Sequence, residues 1–152
     1  RSDRPTIVRV GCYLTGQQPV ERVLPLIARA ALGRGQRLLV VSADRMQLAR
    51  LDQVLWEHSP EQFLAHGQAG EAHDARQPIL LSADCAPANG ADLLALADGQ
   101  WREEAERFAR ALLFFDEAGR AEARATWKLF DGRDDVEREF YELDGGRWVK
   151  KA

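Results

Sequence analysis

The first 57 residues alternate twice between a short apolar run and a longer stretch with helical periodicity, and few folds accommodate that order. Residues 6–14 are rich in β-branched and apolar side chains between Pro5 and Thr15-Gly16, which reads as a strand. Residues 19–32 place Val20, Val23, Leu24, Ile27, Ala28 and Ala31 at helical spacing, with Gly33 and Gly35 as stop signals and Pro25 as an expected kink or shifted start. Arg37-Leu38-Leu39-Val40-Val41 is a short continuous apolar run and reads as a buried strand. Asp44 then offers an N-cap for a helix to about residue 57. Strand, helix, strand, helix in this order predicts a parallel sheet with crossover helices.

Further strands are expected at 78–82, 92–97 and 109–115, with a loop at 84–90 and a short helix at 101–108. A last long helix is expected from 117 to about 131, followed by a hairpin over 140–149 around Asp144-Gly145-Gly146. No repeat or linker interrupts this order, so residues 1–152 read as one domain, with 1–5 a flexible or engineered end.

The same pattern invites a nucleotide-binding reading, which the sequence does not support. A phosphate loop needs glycines between a strand and its following helix, so that backbone N–H groups wrap the phosphate. The turn after the first strand, Thr15-Gly16-Gln17-Gln18-Pro19, has one glycine and matches neither GxGxxG nor GxxxxGK[ST]. His58, His66 and His73 lack metal-ligand spacing, and Ser42 and Ser82 lie in no GxSxG elbow. Cys12 and Cys85 belong to no CxxC cluster, and Cys12 reads as a small buried hydrophobe. No catalytic constellation, cofactor or metal site is therefore expected. No apolar run approaches the 18 or more residues that a membrane span requires, and Arg1-Ser2-Asp3-Arg4-Pro5 lacks the apolar stretch expected of a secretory signal. The composition fits a reducing cytoplasm. A formal net charge of −3 argues against a surface that tracks nucleic acid throughout.

Two surface constellations stand out. The helix from Asp44 has its core stripe at Leu48, Leu51, Val54 and Leu55, which leaves Trp56 more than a quarter-turn away. Either the following loop covers Trp56, or it anchors a partner together with Phe63, since tryptophan is enriched at interface hot spots. In the last helix Ala118, Ala125 and Leu129 fall on one side, read as the core face. Arg120, Arg124, Trp127 and Lys128 gather opposite, and Arg124 has no acid three or four residues away. Like charges so placed cost a helix a few tenths of a kcal/mol each. Basic groups around an indole suit a carboxylate-bearing ligand with an apolar side chain. The competing reading is a solvated face on which Glu117 pairs with Arg120 and Asp131 with Lys128.

Leu51-Asp52-Gln53-Val54-Leu55-Trp56, then Phe63-Leu64-Ala65-His66 and Ala69-Gly70-Glu71, resembles the pattern of the chi subunit family of bacterial DNA polymerase III holoenzyme. Ala65 stands where that family usually has proline. The ending Gly146-Arg147-Trp148-Val149-Lys150-Lys151-Ala152 is similar to chi C-termini, and the order of elements matches from about Ile7 onward. The resemblance implies a three-layer α/β/α fold with a mostly parallel mixed sheet, Rossmann-like but without a nucleotide-binding loop. It implies a non-catalytic, cytoplasmic subunit that pairs with the psi subunit and through it joins the clamp loader. It also implies binding of the acidic C-terminal tail of single-stranded DNA-binding protein, so that DNA is met only indirectly. On this likeness Trp56 and Phe63 match the psi-facing aromatics, and Arg124 and Lys128 match the basic positions that hold the tail. Trp127 stands where the family often has tyrosine, and Arg120 joins the same basic face. Two other readings remain: an enzyme on a degenerate nucleotide fold, and a domain that binds single-stranded nucleic acid directly.

Overall fold

The computed structural model describes residues 7–57 and 65–152. In chain order its elements are β1 (Val8–Leu14), α1 (Val20–Gly33), β2 (Leu38–Val41), α2 (Arg45–Glu57), β3 (His66–Gln68), β4 (Ile79–Ser82), β5 (Leu93–Leu96), β6 (Arg110–Phe115), α3 (Arg120–Leu129), β7 (Val136–Asp144) and β8 (Arg147–Lys150). The strands form one sheet in the order β3-β4-β2-β5-β6-β1-β7-β8. Every pairing is parallel except β7 with β8. The fold is therefore α/β with a mostly parallel mixed sheet.

Burial on both faces explains the continuous apolar runs, as parallel sheets require. In β2, Leu38 and Val40 turn to one face while Leu39 and Val41 turn to the other. The first face is covered by α1, through Val20, Leu24, Ala28 and Ala31, and by α2, through Leu48, Leu51 and Leu55. The second face is covered by Ala123 of α3 and by Ala105 and Phe108, which lie in and just after a short 3-10 turn at Glu103–Arg107. The result is three layers, with α1 and α2 on one side of the sheet and α3 on the other. Cys12 is buried in the second face, and desolvation pushes its thiol up to about 12. Cys85 packs in the same cluster, and its thiol is also raised by burial.

Several sequence expectations change. The short helix at 101–108 is only the 3-10 turn. The last helix begins as a 3-10 turn, Glu117–Gly119, and runs as α helix only from Arg120. Its core side is not Ala118, Ala125 and Leu129, which are all exposed, but Ala123, Thr126 and the following Phe130. Alanine is small enough to be neutral about burial, so it misled the phase. Thr126 tolerates burial because its hydroxyl donates to the Glu122 carbonyl at 3.2 Å. In α2, Val54 is half-buried, and Gln47 takes the fourth buried position, its amide donating to the Ala97 carbonyl at 2.9 Å. The expected N-cap holds: Asp44 Oδ1 accepts from the N–H groups of Met46 and Gln47 at 2.9 and 3.3 Å. The terminal hairpin also holds, but its first strand starts at Val136 and runs parallel beside β1.

At Gly11 a packing constraint decides the residue. A Cβ there would lie 2.4 Å from Cε1 of Tyr13. That ring is wedged against Phe114, Tyr141 and Trp148, with centroids at 5.2, 4.9 and 5.1 Å, and has little room to yield. Gly11→Ala is expected to lower stability by roughly 1–3 kcal/mol, the usual cost of overpacking a core. Urea denaturation measures it, and much of the loss should return in the Gly11→Ala/Tyr13→Leu double variant.

Candidate protein-binding site

The C-terminal half of α3 is fastened to β7 by one side chain that the sequence did not flag. Arg138 lays its guanidinium over the Trp127 ring, 4.6 Å from the centroid, and donates to the Trp127 carbonyl at 2.5 Å. It also pairs with Asp131 at 2.7 Å. Trp127, half-buried, meets Phe140 edge-on with centroids 6.3 Å apart. The indole is therefore held between α3 and the sheet, and does not project from the far side of the helix as its spacing had implied. Of the two pairs that the competing solvated-face reading required, Glu117 with Arg120 forms, whereas Asp131 pairs with Arg138 instead of Lys128.

Around this fixed indole the basic residues behave differently from one another. Arg120 is engaged: Glu117 accepts from it at 2.9 and 3.1 Å, and Glu142 lies 3.9 Å away. The Arg120 hydrogen bond holds the Glu117 carboxyl below its ordinary range. Arg124 and Lys128 are exposed, and among the described residues neither has a carboxylate partner. Beside Arg124 lies a hollow of about 240 Å³, lined by Arg120, Arg124, Trp127, Phe140 and Ala152. An unneutralised arginine on an aromatic-walled hollow, with Lys128 one helical turn further along α3, can take an anionic group and an apolar side chain together.

The second constellation lies across the sheet on α2. Trp56 is 51 % exposed, and its ring tilts over His66, the first residue of β3, at 4.8 Å. The buried His66 ring places Nε2 3.0 Å from Asp52 Oδ1. Met46, 68 % exposed, adds a second large apolar group to the outer side of α2 and was not picked out from the sequence. Its signal was its place two residues after the N-cap, outside the core stripe. Phe63, His58 and most of the loop expected to cover Trp56 lie outside the described residues.

At the carboxyl ends of the strands, where open α/β sheets usually bind ligands, a crevice of about 350 Å³ is lined by Glu21, Asp44, Asp98, Asp116 and Glu122 against a single Arg50. That arginine already pairs with Glu21 at 2.9 Å. A phosphate would meet net negative charge here. Among the described residues no group of three or more His, Cys, Asp or Glu is placed to hold a metal ion. Asp98 serves the fold. Burial alone would raise its carboxyl, but hydrogen bonds from Arg102 at 2.8 and 3.0 Å and from the Ala43 N–H at 2.8 Å outweigh that and hold it below the ordinary range.

The sequence profile of the family described as "DNA polymerase III chi subunit, HolC" matches residues 8–135. The chain belongs to the DNA polymerase III chi-subunit family. It is also similar to the DNA polymerase III subunit chi of Escherichia coli (strain K12), 34% identical over 64 residues. That match spans 42% of this chain and 44% of the curated relative, so the chain aligns with less than half of that protein's length. The chi profile covers Trp56 and Phe63 as well as Arg120, Arg124, Trp127 and Lys128. Among the described residues no helix is long and apolar enough to cross a membrane.

The Asp98 geometry has a pH consequence. A carboxyl whose folded value is depressed stabilises the fold fully above the unfolded value of about 3.9 and loses that contribution as pH falls through the folded value. Asp98→Asn should thus be less stable than the native chain at neutral pH, with the gap closing below about pH 4. Urea denaturation across that range measures it.

Proposed function

We propose that this chain is a non-catalytic accessory subunit of DNA polymerase III that bridges two proteins. On one side of the sheet the Trp56 surface, with Phe63, buries its aromatics against the psi subunit and so reaches the clamp loader. On the other side the basic face of α3 holds the acidic C-terminal tail of single-stranded DNA-binding protein. The observation that carries this reading is Arg124, free of carboxylates among the described residues, on the rim of the hollow walled by Trp127 and Phe140, with Lys128, likewise free of them, one turn further along α3. Membership of the chi family supports it. The opposite placement of α2 and α3 leaves room for both partners at once.

The mechanism follows from the chemistry. The tail's carboxylates form charge-assisted hydrogen bonds with Arg124 and Lys128, and its terminal phenylalanine enters the hollow. Arg120, tied to Glu117 and Glu142, contributes long-range attraction and shapes the rim. Trp127 supplies an aromatic wall without the hydroxyl that tyrosine would add, so orientation falls to the cations and to the Arg138 clamp. A contact of this size is weak alone, in the micromolar range of about −8 kcal/mol. Many tails on one coated strand raise the effective concentration and make up the difference. DNA is met through its binding protein, in the cytoplasm, and no cofactor is needed.

Arg124→Ala or Lys128→Ala should weaken binding of an acidic peptide ending in Pro-Phe by at least about tenfold, or 1.4 kcal/mol, with the fold unchanged. Fluorescence anisotropy measures this, and the affinity should fall as salt rises. Tight binding to naked single-stranded DNA that is lost with the same substitutions would overturn the adaptor reading in favour of direct nucleic-acid binding. Trp56→Ala should weaken co-purification with psi and leave peptide affinity unchanged.

A further inference from the structure

Strand β7 carries aromatic residues on both of its faces. Phe140 turns to the α3 side and walls the hollow described above, while the next residue, Tyr141, turns to the α1 side as strand alternation requires. There Tyr141 stacks on Tyr13 at 4.9 Å, and Trp148 from β8 meets the same ring edge-on at 5.1 Å. Between these rings and helix α1 lies a second hollow, of about 270 Å³, to which Ile27 of α1, Arg34 just past its end and Arg110 of β6 contribute.

The charge balance of this hollow is one-sided. It is lined by two arginines and by no carboxylate. Arg110 donates to the Tyr13 hydroxyl at 2.9 Å, which orients its guanidinium and leaves other N–H donors over. Among the described residues neither Arg110 nor Arg34 has an ion-pair partner. The acids on this face of β7 are taken: Glu139 pairs with Arg9 at 3.5 Å and Lys150 at 3.1 Å, and Glu137 lies 4.0 Å from Arg9. Lys150 holds the Glu139 carboxyl below its ordinary range.

The two hollows are alike in volume, in their indole and phenyl or phenol walls, and in a rim arginine without an ion-pair partner among the described residues, Arg124 in the first and Arg34 and Arg110 in the second. We propose that the α1-side hollow is a second docking site for an acidic peptide segment bearing an apolar side chain. The ligand class is the one read for the α3 face, so this inference rests on that reading. Arg110 receives a carboxylate, Arg34 adds attraction from the helix end, and the apolar side chain lies against Trp148 and Tyr141. One subunit then engages two acidic segments, one on each face of β7.

The test is a titration of the ¹⁵N-labelled full chain with an acidic peptide ending in Pro-Phe, followed by nuclear magnetic resonance. The indole N–H signals of Trp127 and Trp148 are assigned with Trp127→Phe and Trp148→Phe. Both signals are expected to move and saturate. Arg124→Ala should abolish the Trp127 response alone, and Arg34→Gln with Arg110→Gln the Trp148 response alone. Arg34 is exposed at the end of α1, so Arg34→Gln leaves the fold intact and by itself should weaken the Trp148 response at least threefold. A Trp148 signal that stays still while Trp127 saturates would overturn the second site and leave the first standing. So would a Trp148 shift that survives both arginine substitutions, or one produced more tightly by oligothymidine than by the peptide. A still Trp127 signal would instead count against the α3 reading.

Discussion

Strand β1 is hydrogen-bonded along both edges, to β6 from Arg9 to Leu14 and to β7 from Val8 to Leu14, and the placement of every candidate surface depends on that double pairing. Because β6 and β7 flank β1, the chain leaving β6 has to pass over β1 before it can pair on the other side. Helix α3 is that passage, and it packs on β1 and β6. Its location is thus a consequence of sheet order. Right-handed crossovers and the need to bury Ala123, Thr126 and Phe130 leave it little rotational choice.

Once α3 is fixed in rotation, the remaining side chains sort themselves. Trp127 lies at the boundary between buried and open surface, so its ring both seals the second core against Phe140 and walls a hollow. Arg138 makes that boundary position rigid by holding the ring, its carbonyl and Asp131 together. Arg124 and Lys128 face outward, beyond reach of the sheet's acids. Core packing and the candidate binding surface thus share the same indole.

Much of the architecture was legible because burial leaves a simple mark. Strands β1, β2, β4, β5 and β6 are apolar runs, and the Asp44 cap and the Asp-Gly-Gly turn follow local rules that tertiary structure did not override. What escaped was the part of the fold that is amphipathic or sparse. Strand β7 begins Val136-Glu137-Arg138-Glu139, whose charges are satisfied by Arg9, Lys150 and Asp131 from elsewhere in the chain, so no periodicity announced a buried neighbour of β1. Strand β3 is three residues long and contains glycine. The α3 rotation was misjudged because alanine fits either side of a helix, and a buried threonine is visible only with its carbonyl partner. The exposed Arg124 was readable from spacing, since a cation with like charges and no acid three or four residues away breaks the usual pattern. The hollow beside it was not, because Phe140 comes from a strand whose place in the sheet the sequence did not disclose.

The two cysteine thiols bear on a different matter. Cys12 is a β1 residue whose side chain is buried on the α3 side of the sheet, its thiol pushed to about 12, and Cys85 is shifted in the same direction by its own burial. Only the deprotonated form attacks electrophiles or reacts readily with peroxide. Both thiols are therefore deprotonated less readily than a free cysteine, which slows thiolate chemistry at either sulfur.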